Sequence, residues 1–152
     1  MLNNFVPKDP AFKARVTASF DKQGLMITLG ACIVHVAPGM VEIVLQASPA
    51  VSQQHGFIHA GALAAIADTA AGYAALSLMR PGVGVLTTEF KINLVAPAKG
   101  ERVVAKARVI KAGRTLPVAQ TDVFSETEGR EELVALFTAT LMAVEGREGV
   151  ND

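Results

Sequence analysis

The chain has no tryptophan, a single cysteine, three histidines and only eight aromatic residues, and its fourteen basic residues are balanced by fourteen acidic ones. With Cys32 alone there is no intrachain disulfide, no thiolate-rich zinc site and no CxxC redox pair. Zero net charge removes the basic surplus with which nucleic-acid-binding domains neutralise phosphates, so no nucleic acid is expected as a partner. The histidines include one pair at HxxxH spacing, His55 and His59, but His55 falls in the polar loop before the long helix and no HExxH is present, so no metal is expected. No cofactor is expected either: there is no Walker loop or GxGxxG, and Gly82-x-Gly84 falls between a helix and a strand, the wrong context. A GxSxG nucleophile elbow is also missing. The opening MLNNFVPKDP lacks the basic region and apolar run of a secretory leader, so a cytoplasmic location is the expectation. Charged residues make up only 18% against 51% hydrophobic, too few for a disordered chain. The 152 residues suit one domain, spanning 1–152. What the chain has in quantity is alanine, 25 residues, which predicts backbone surfaces that approach one another closely.

Residues 60–79, AGALAAIADTAAGYAALSLM, form the longest apolar stretch. It is long enough to span a bilayer, but Asp68 near its middle would cost roughly 2.5–3.5 kcal/mol there, and alanine and glycine offset that poorly. It reads as a buried helix over about 59–79, closed by Pro81 and Gly82. Before it, an N-terminal helical segment over about 9–29 opens with Asp9 as N-cap and Pro10 in first position, burying Phe12, Val16 and Phe20. Ile33–Ala37 and Met40–Gln46 flank the turn dipeptide Pro38-Gly39 and read as a hairpin. Four further strands are predicted: 85–95, 102–111, 115–125 and 131–144, with hairpin turns at Ala112-Gly113 and Glu128-Gly129. In the first of these, Thr88, Phe90, Ile92 and Leu94 are expected on one face, with Thr87, Glu89, Lys91 and Asn93 on the other. The class is α+β, a curved antiparallel sheet of about six strands wrapped around one long helix.

His59 and Asp68 are nine residues apart, about 900° of helical rotation and roughly 13 Å of rise, so they lie on opposite faces and cannot pair within one chain. A helix start nevertheless favours developing negative charge through its free N–H groups and dipole. Asp68 stands among small residues (Ala64, Ala65, Ala71, Gly72), which suggests close approach by a second chain. Two helices related by a two-fold axis would bring Asp68 of one to the helix start of the other, a site at a dimer interface.

The segment QQHGFIHAGALAAIADTAAGYAAL resembles the signature of PaaI-type hotdog thioesterases. Gly56, His59 and Gly61 match the family's Gly-x-x-His-Gly-Gly motif, and Asp68 falls nine residues after the histidine, at the family's acid position. VLTTEFKINLVAPAKGE and KAGRT resemble later family segments, and the resemblance covers about residues 20–145. It implies a hotdog fold and hydrolysis of a fatty or aromatic acyl-CoA by a homodimer that assembles into a homotetramer. The backbone N–H of Ala60, where the family has Gly, would polarise the thioester carbonyl, and Gln53 would assist it. Asp68 would activate water as general base or form a short-lived anhydride as nucleophile, and Thr87 or its neighbour Thr88 would orient that water.

Each residue also has a plainer reading. Asp68 could be a structural carboxylate, although burying a charge in an alanine helix favours a use for it. His59 reads as a helix-start residue more than a base, His55 as a loop residue and His35 as structural. Gln53 is divided evenly between carbonyl contact and loop stabilisation. Lys111 and Arg114 would meet coenzyme A phosphates or simply cover a hairpin tip. Phe57 and Tyr73 would line an acyl pocket or pack the core. Among whole-chain alternatives, a non-catalytic acyl-CoA-binding protein comes second and a hotdog hydratase or dehydratase third. A purely structural dimerisation domain would have no need of the polar groups at the helix start.

Overall fold

The computed structural model describes residues 4–152. The first three residues of the opening stretch, on which the expectation of no leader partly rests, lie outside them. Two short helices, α1 (Phe12–Phe20) and α2 (Gly24–Leu29), precede a hairpin of β1 (Cys32–Ala37) and β2 (Met40–Gln46). The long helix α3 runs Ala60–Leu76, followed by β3 (Gly84–Leu94), β4 (Arg102–Lys111), β5 (Val118–Thr127) and β6 (Arg130–Val144). The six strands form one antiparallel sheet in the order β1-β2-β4-β5-β6-β3. Helix α3 packs against β2 through β6, the arrangement that the resemblance implies. No helix among the described residues is long and apolar enough to cross a membrane.

Alanine explains how the sheet closes so tightly on the helix. Ile66, Ala67, Ala70, Ala71 and Ala74 are fully buried against strand residues such as Ile43, Ala105 and Phe137, and the short side chains let the sheet curl around α3. Thr121, buried in β5, donates to the Ala67 carbonyl at 3.0 Å, fixing the helix's rotation on the sheet. One stripe of α3 stays half-buried or exposed: Gly61, Ala64, Ala65, Asp68, Thr69 and Gly72. Ala71, expected beside Asp68, is instead fully buried, because three residues of helix turn it towards the sheet.

The pairing of β3 with β6 corrects the expected faces of β3. A register shift between Thr87 and Glu89 inserts Thr88 as a bulge. Thr87 opposes Leu141 before it, while Phe90, Ile92 and Leu94 oppose Ala139, Phe137 and Ala135 after it. All four partners are buried under α3, so Thr87 shares the helix-facing side with Phe90, Ile92 and Leu94. The extra residue flips the strand's alternation.

Element ends also differ from expectation. Helix α1 starts at Phe12 with Ala11 at the N-cap. Asp9 acts two residues earlier, accepting from the Ala11 N–H at 2.9 Å. Helix α3 stops at Leu76, where Arg15 donates to Leu76 O at 2.9 Å and, three residues beyond, to Met79 O at 2.7 Å. The β4–β5 connection runs through 112–117 rather than turning at Ala112-Gly113, since Pro117 offers no N–H to β4. A Cβ on Gly113 would collide with the Leu116 carbonyl, so the tight return needs glycine there. Glu128 and Gly129 both take left-handed φ, 51° and 74°, as a two-residue hairpin turn requires.

Candidate active site

Asp68 sits midway along α3 on the half-buried stripe, facing the start of β3. Its Oδ1 accepts from Thr87 Oγ1 at 2.7 Å, a contact made possible by the bulge at Thr88. Thr88 itself donates to the Thr140 carbonyl at 2.9 Å and is exposed, so of the two threonines Thr87 is the one that reaches the carboxylate. Burial pushes the Asp68 carboxyl above its ordinary value near 3.8, and the Thr87 hydrogen bond partly opposes that rise. The result is a carboxylate more basic than one in water, as suits a group that must take up a proton. Asp68 and Thr87 line a cavity of about 500 Å³ together with Ala65, Gly72, Tyr73 and Leu86. The same cavity is lined by Ser19, Gln23 and residues Gly149–Asp152, none of which a local motif announces. Tyr73 packs edge-on against Phe20 at 5.9 Å. Its hydroxyl bonds Ser19 and Gln23 at 3.2 and 3.1 Å, so this residue serves core and cavity at once.

The helix start is built differently. His59 is the N-cap, and its Nδ1 accepts from the Gly61 N–H at 2.8 Å. An accepting Nδ1 is unprotonated, which places the proton of the neutral ring on Nε2. The ring lies so close that a Cβ on Gly61 would stand 3.0 Å from Nδ1. The N–H of Ala60, first in the helix, has no partner among the described residues. It belongs to a second cavity, of about 430 Å³, lined by Gln53, Phe57, Ala60, Leu63 and Leu94–Ala98. Gln53 heads a tight turn in which its Oε1 accepts from the His55 N–H at 3.3 Å. That engages the amide oxygen in loop structure. Lys99 Nζ lies 5.2 Å from the centre of the Phe57 ring, a cation beside this cavity that the sequence reading did not single out.

The residues expected at the site thus fall into separate groups. Asp68 and Thr87 share one cavity; Ala60, Gln53 and Phe57 share the other, with His59 and Gly61 beside them at the helix start. About 12 Å of helix separates Ala60 from Asp68 at 1.5 Å per residue. His55 is exposed, and its ring meets the Gln54 side chain at 3.3 Å. Lys111 and Arg114 are exposed near the opposite end of α3 from Ala60, where Arg114 borders a cavity of about 400 Å³ with Lys8, Arg80 and Glu145. Among the described residues no three His, Cys, Asp or Glu side chains gather as a ligand group.

The family model of the thioesterase superfamily matches residues 55–132, which contain the helix start, Asp68 and Thr87. A crystal structure of a thioesterase family protein from Silicibacter pomeroyi is 47% identical and superposes with a TM-score of 0.87, over 89% of this chain and 99% of that one. The 1,4-dihydroxy-2-naphthoyl-CoA hydrolase of Listeria monocytogenes is 30% identical over 105 residues, 69% of this chain and 85% of that protein. A mutant of the phenylacetic acid degradation protein PaaI from Thermus thermophilus superposes with a TM-score of 0.68 at 27% identity, over 79% and 98% of the two chains.

Proposed function

The chain belongs to the thioesterase superfamily and is a thioester hydrolase; from that premise we propose that it cleaves acyl-CoA thioesters in a site completed by a second copy of itself. The observation that carries the reading is the division of the polar groups. A raised, Thr87-bonded carboxylate and an unpartnered helix-start N–H lie about 12 Å apart along one helix and on residues that line different cavities. Each is half of a hydrolytic centre, and a two-fold axis would join them.

In the joined site the thioester carbonyl points at the Ala60 N–H and Asp68 of the other copy faces the carbonyl carbon. Asp68 takes a proton from water as the water oxygen bonds to that carbon, and the resulting oxyanion is held by the Ala60 N–H and the helix dipole. Collapse of the tetrahedral species breaks the C–S bond, and the proton on Asp68 passes to the leaving thiolate. His59 keeps the helix start in shape through Gly61 and takes no proton at Nδ1, which is engaged. The NH₂ end of Gln53 supplies a second donor towards the carbonyl.

The surface supports a second copy as well. Strand β3 is a sheet edge, and along it Phe90 and Leu94 are 50% and 53% exposed, an apolar edge that a monomer would leave open to aggregation. Subunit mixing tests the shared site. Asp68→Asn and Ala60→Pro should each be nearly inactive alone. Co-refolded in equal amounts, they should recover about a quarter of wild-type activity, because half the dimers carry one intact site of two. No recovery, with mixed dimers shown by mass spectrometry, refutes the shared site. Sedimentation of the wild type at a multiple of 15.9 kDa is expected alongside, and a fully active monomer would overturn it.

A further inference from the structure

We infer that the segment Gly149–Asp152 is the wall that decides which acyl groups the Asp68 cavity admits; the inference rests on the thioesterase reading above and names its specificity element. After β6 the chain turns at Gly146 and Gly149, both with left-handed φ of 65° and 78°, and folds back across the beginning of β3. Its last four residues line the same cavity as Asp68 and Thr87. They are fastened, not merely laid there. The Asp152 carboxylate accepts from the Gly82 N–H at 3.0 Å. Its other oxygen lies 3.0 Å from Arg15 Nη1, with the two side chains only 6% and 11% exposed. Arg15 in turn holds the carbonyl of Leu76 at the end of α3 and that of Met79 just beyond it, and lies 3.4 Å from Asp9. The latch therefore ties the segment to the elements on either side of the catalytic carboxylate: the end of the helix that carries Asp68 and the start of the strand that carries Thr87.

Val150 is the side chain that this latch positions. A Cβ built on Gly84 would stand 2.9 Å from both Val150 Cγ1 and its carbonyl oxygen, so Gly84 has no side chain because Val150 occupies that place. The rest of the lining combines short (Ala65, Gly72) and aliphatic (Val85, Leu86) residues with the polar Thr69 and Asn151 and the Tyr73–Gln23–Ser19 cluster. An acyl group whose carbonyl meets Asp68 would extend into this space and end against Val150. A cavity of about 500 Å³ lies within the usual range for small-molecule pockets, so moving one wall residue changes what fits.

The test measures kcat/KM over straight-chain acyl-CoAs from about two to twelve carbons for wild type, Val150→Ala and Asp152→Ala. Shaving or releasing the wall should raise the long-to-short preference by about 10-fold or more, the scale of discrimination that one or two methylenes bring. Rates on the shortest substrate should stay within about threefold. Should Asp152→Ala fail to fold, Val150→Ala carries the test, since it leaves the latch in place. An unchanged length preference in folded variants, or an equal loss on every substrate, overturns the assignment while leaving the hydrolase reading intact. If wild type hydrolyses neither this series nor aromatic acyl-CoAs run beside it, the acyl-CoA reading falls instead. The wall is then tested alone by calorimetric binding of non-hydrolysable acyl-CoA thioethers, where the same shift in length preference supports it and none overturns it.

Discussion

Replacing Thr87 by valine removes one hydroxyl and keeps the side chain's volume and branching, so the strand should be undisturbed. What is lost is a 2.7 Å hydrogen bond to the Asp68 carboxylate, and hydrogen bonds to charged groups contribute about 1.5–3 kcal/mol. If the alignment that this bond imposes on the carboxylate is needed only as it meets the attacking water, so that its full worth is lost from the transition state, kcat/KM on the pH plateau should fall by about 10- to 150-fold. A second effect is separable. Burial raises the Asp68 carboxyl and the Thr87 bond lowers it, so without the threonine the acid limb of the pH–rate profile should move further to alkaline pH. Serine at this position keeps the hydroxyl and should restore both plateau and limb.

Stability follows the same sign. Between the ordinary value near 3.8 and the raised folded value, the native state holds more protons on Asp68 than the unfolded chain, so stability falls as pH rises through that window. Thr87→Val widens the window. Its melting deficit against wild type should grow from acid to neutral pH and shrink at acid pH to that of a neutral hydrogen bond, about 0.5–1.5 kcal/mol. Steady-state hydrolysis across pH and thermal melts at two pH values read both effects. A Thr87→Val protein with wild-type acid limb and a pH-independent melting difference would refute the coupling.

Asp68→Asn should lose at least about 10² in turnover while its melting temperature at neutral pH holds or rises, because the amide no longer places a charge in the half-dry cavity; hydrolysis and calorimetry together check it. Ala60→Pro should cost roughly 10²–10³ in kcat by deleting the proposed oxyanion donor, with circular dichroism unchanged, since proline suits a first helical position and His59 already has the extended ψ of 137° that a residue before proline needs. Ala60→Gly keeps the N–H and should stay near wild type, and normal turnover by the proline variant would move the carbonyl elsewhere.

Most of the fold was legible because periodicity reports burial directly. Phe12, Val16 and Phe20 repeat at helical spacing and are all buried, and the strands of the second half alternate as half-buried strands do. The failures share a cause: they depend on what faces a segment, not on the segment itself. The bulge at Thr88 has no mark in TTEF, yet it reverses the face of Thr87. The end of α3 is set by Arg15, sixty-one residues before Leu76, and neither stretch refers to the other. At the candidate site the helix-start motif and the acid nine residues on were readable, since helical geometry fixes their relation. The return of Gly149–Asp152 to the Asp68 cavity was not, because it rests on a long-range ion pair and on the missing side chain of Gly84.

The position of Asp68 within its helix bears on how basic it can be. A carboxylate in the first turn would collect free N–H groups and the positive end of the dipole, both of which favour the charged form and make a weak base. Nine residues past His59, every nearby backbone N–H is committed to a carbonyl one turn back, so α3 offers Asp68 no donor of its own. Among the described residues the donor it receives comes from another element, through Thr87, and that is too little to offset burial, which remains the larger effect. The same spacing that prevents one chain from bringing its Ala60 N–H to its own Asp68 therefore also leaves that carboxylate basic. The two properties have one geometric origin, and moving the acid one turn towards the helix start would diminish both.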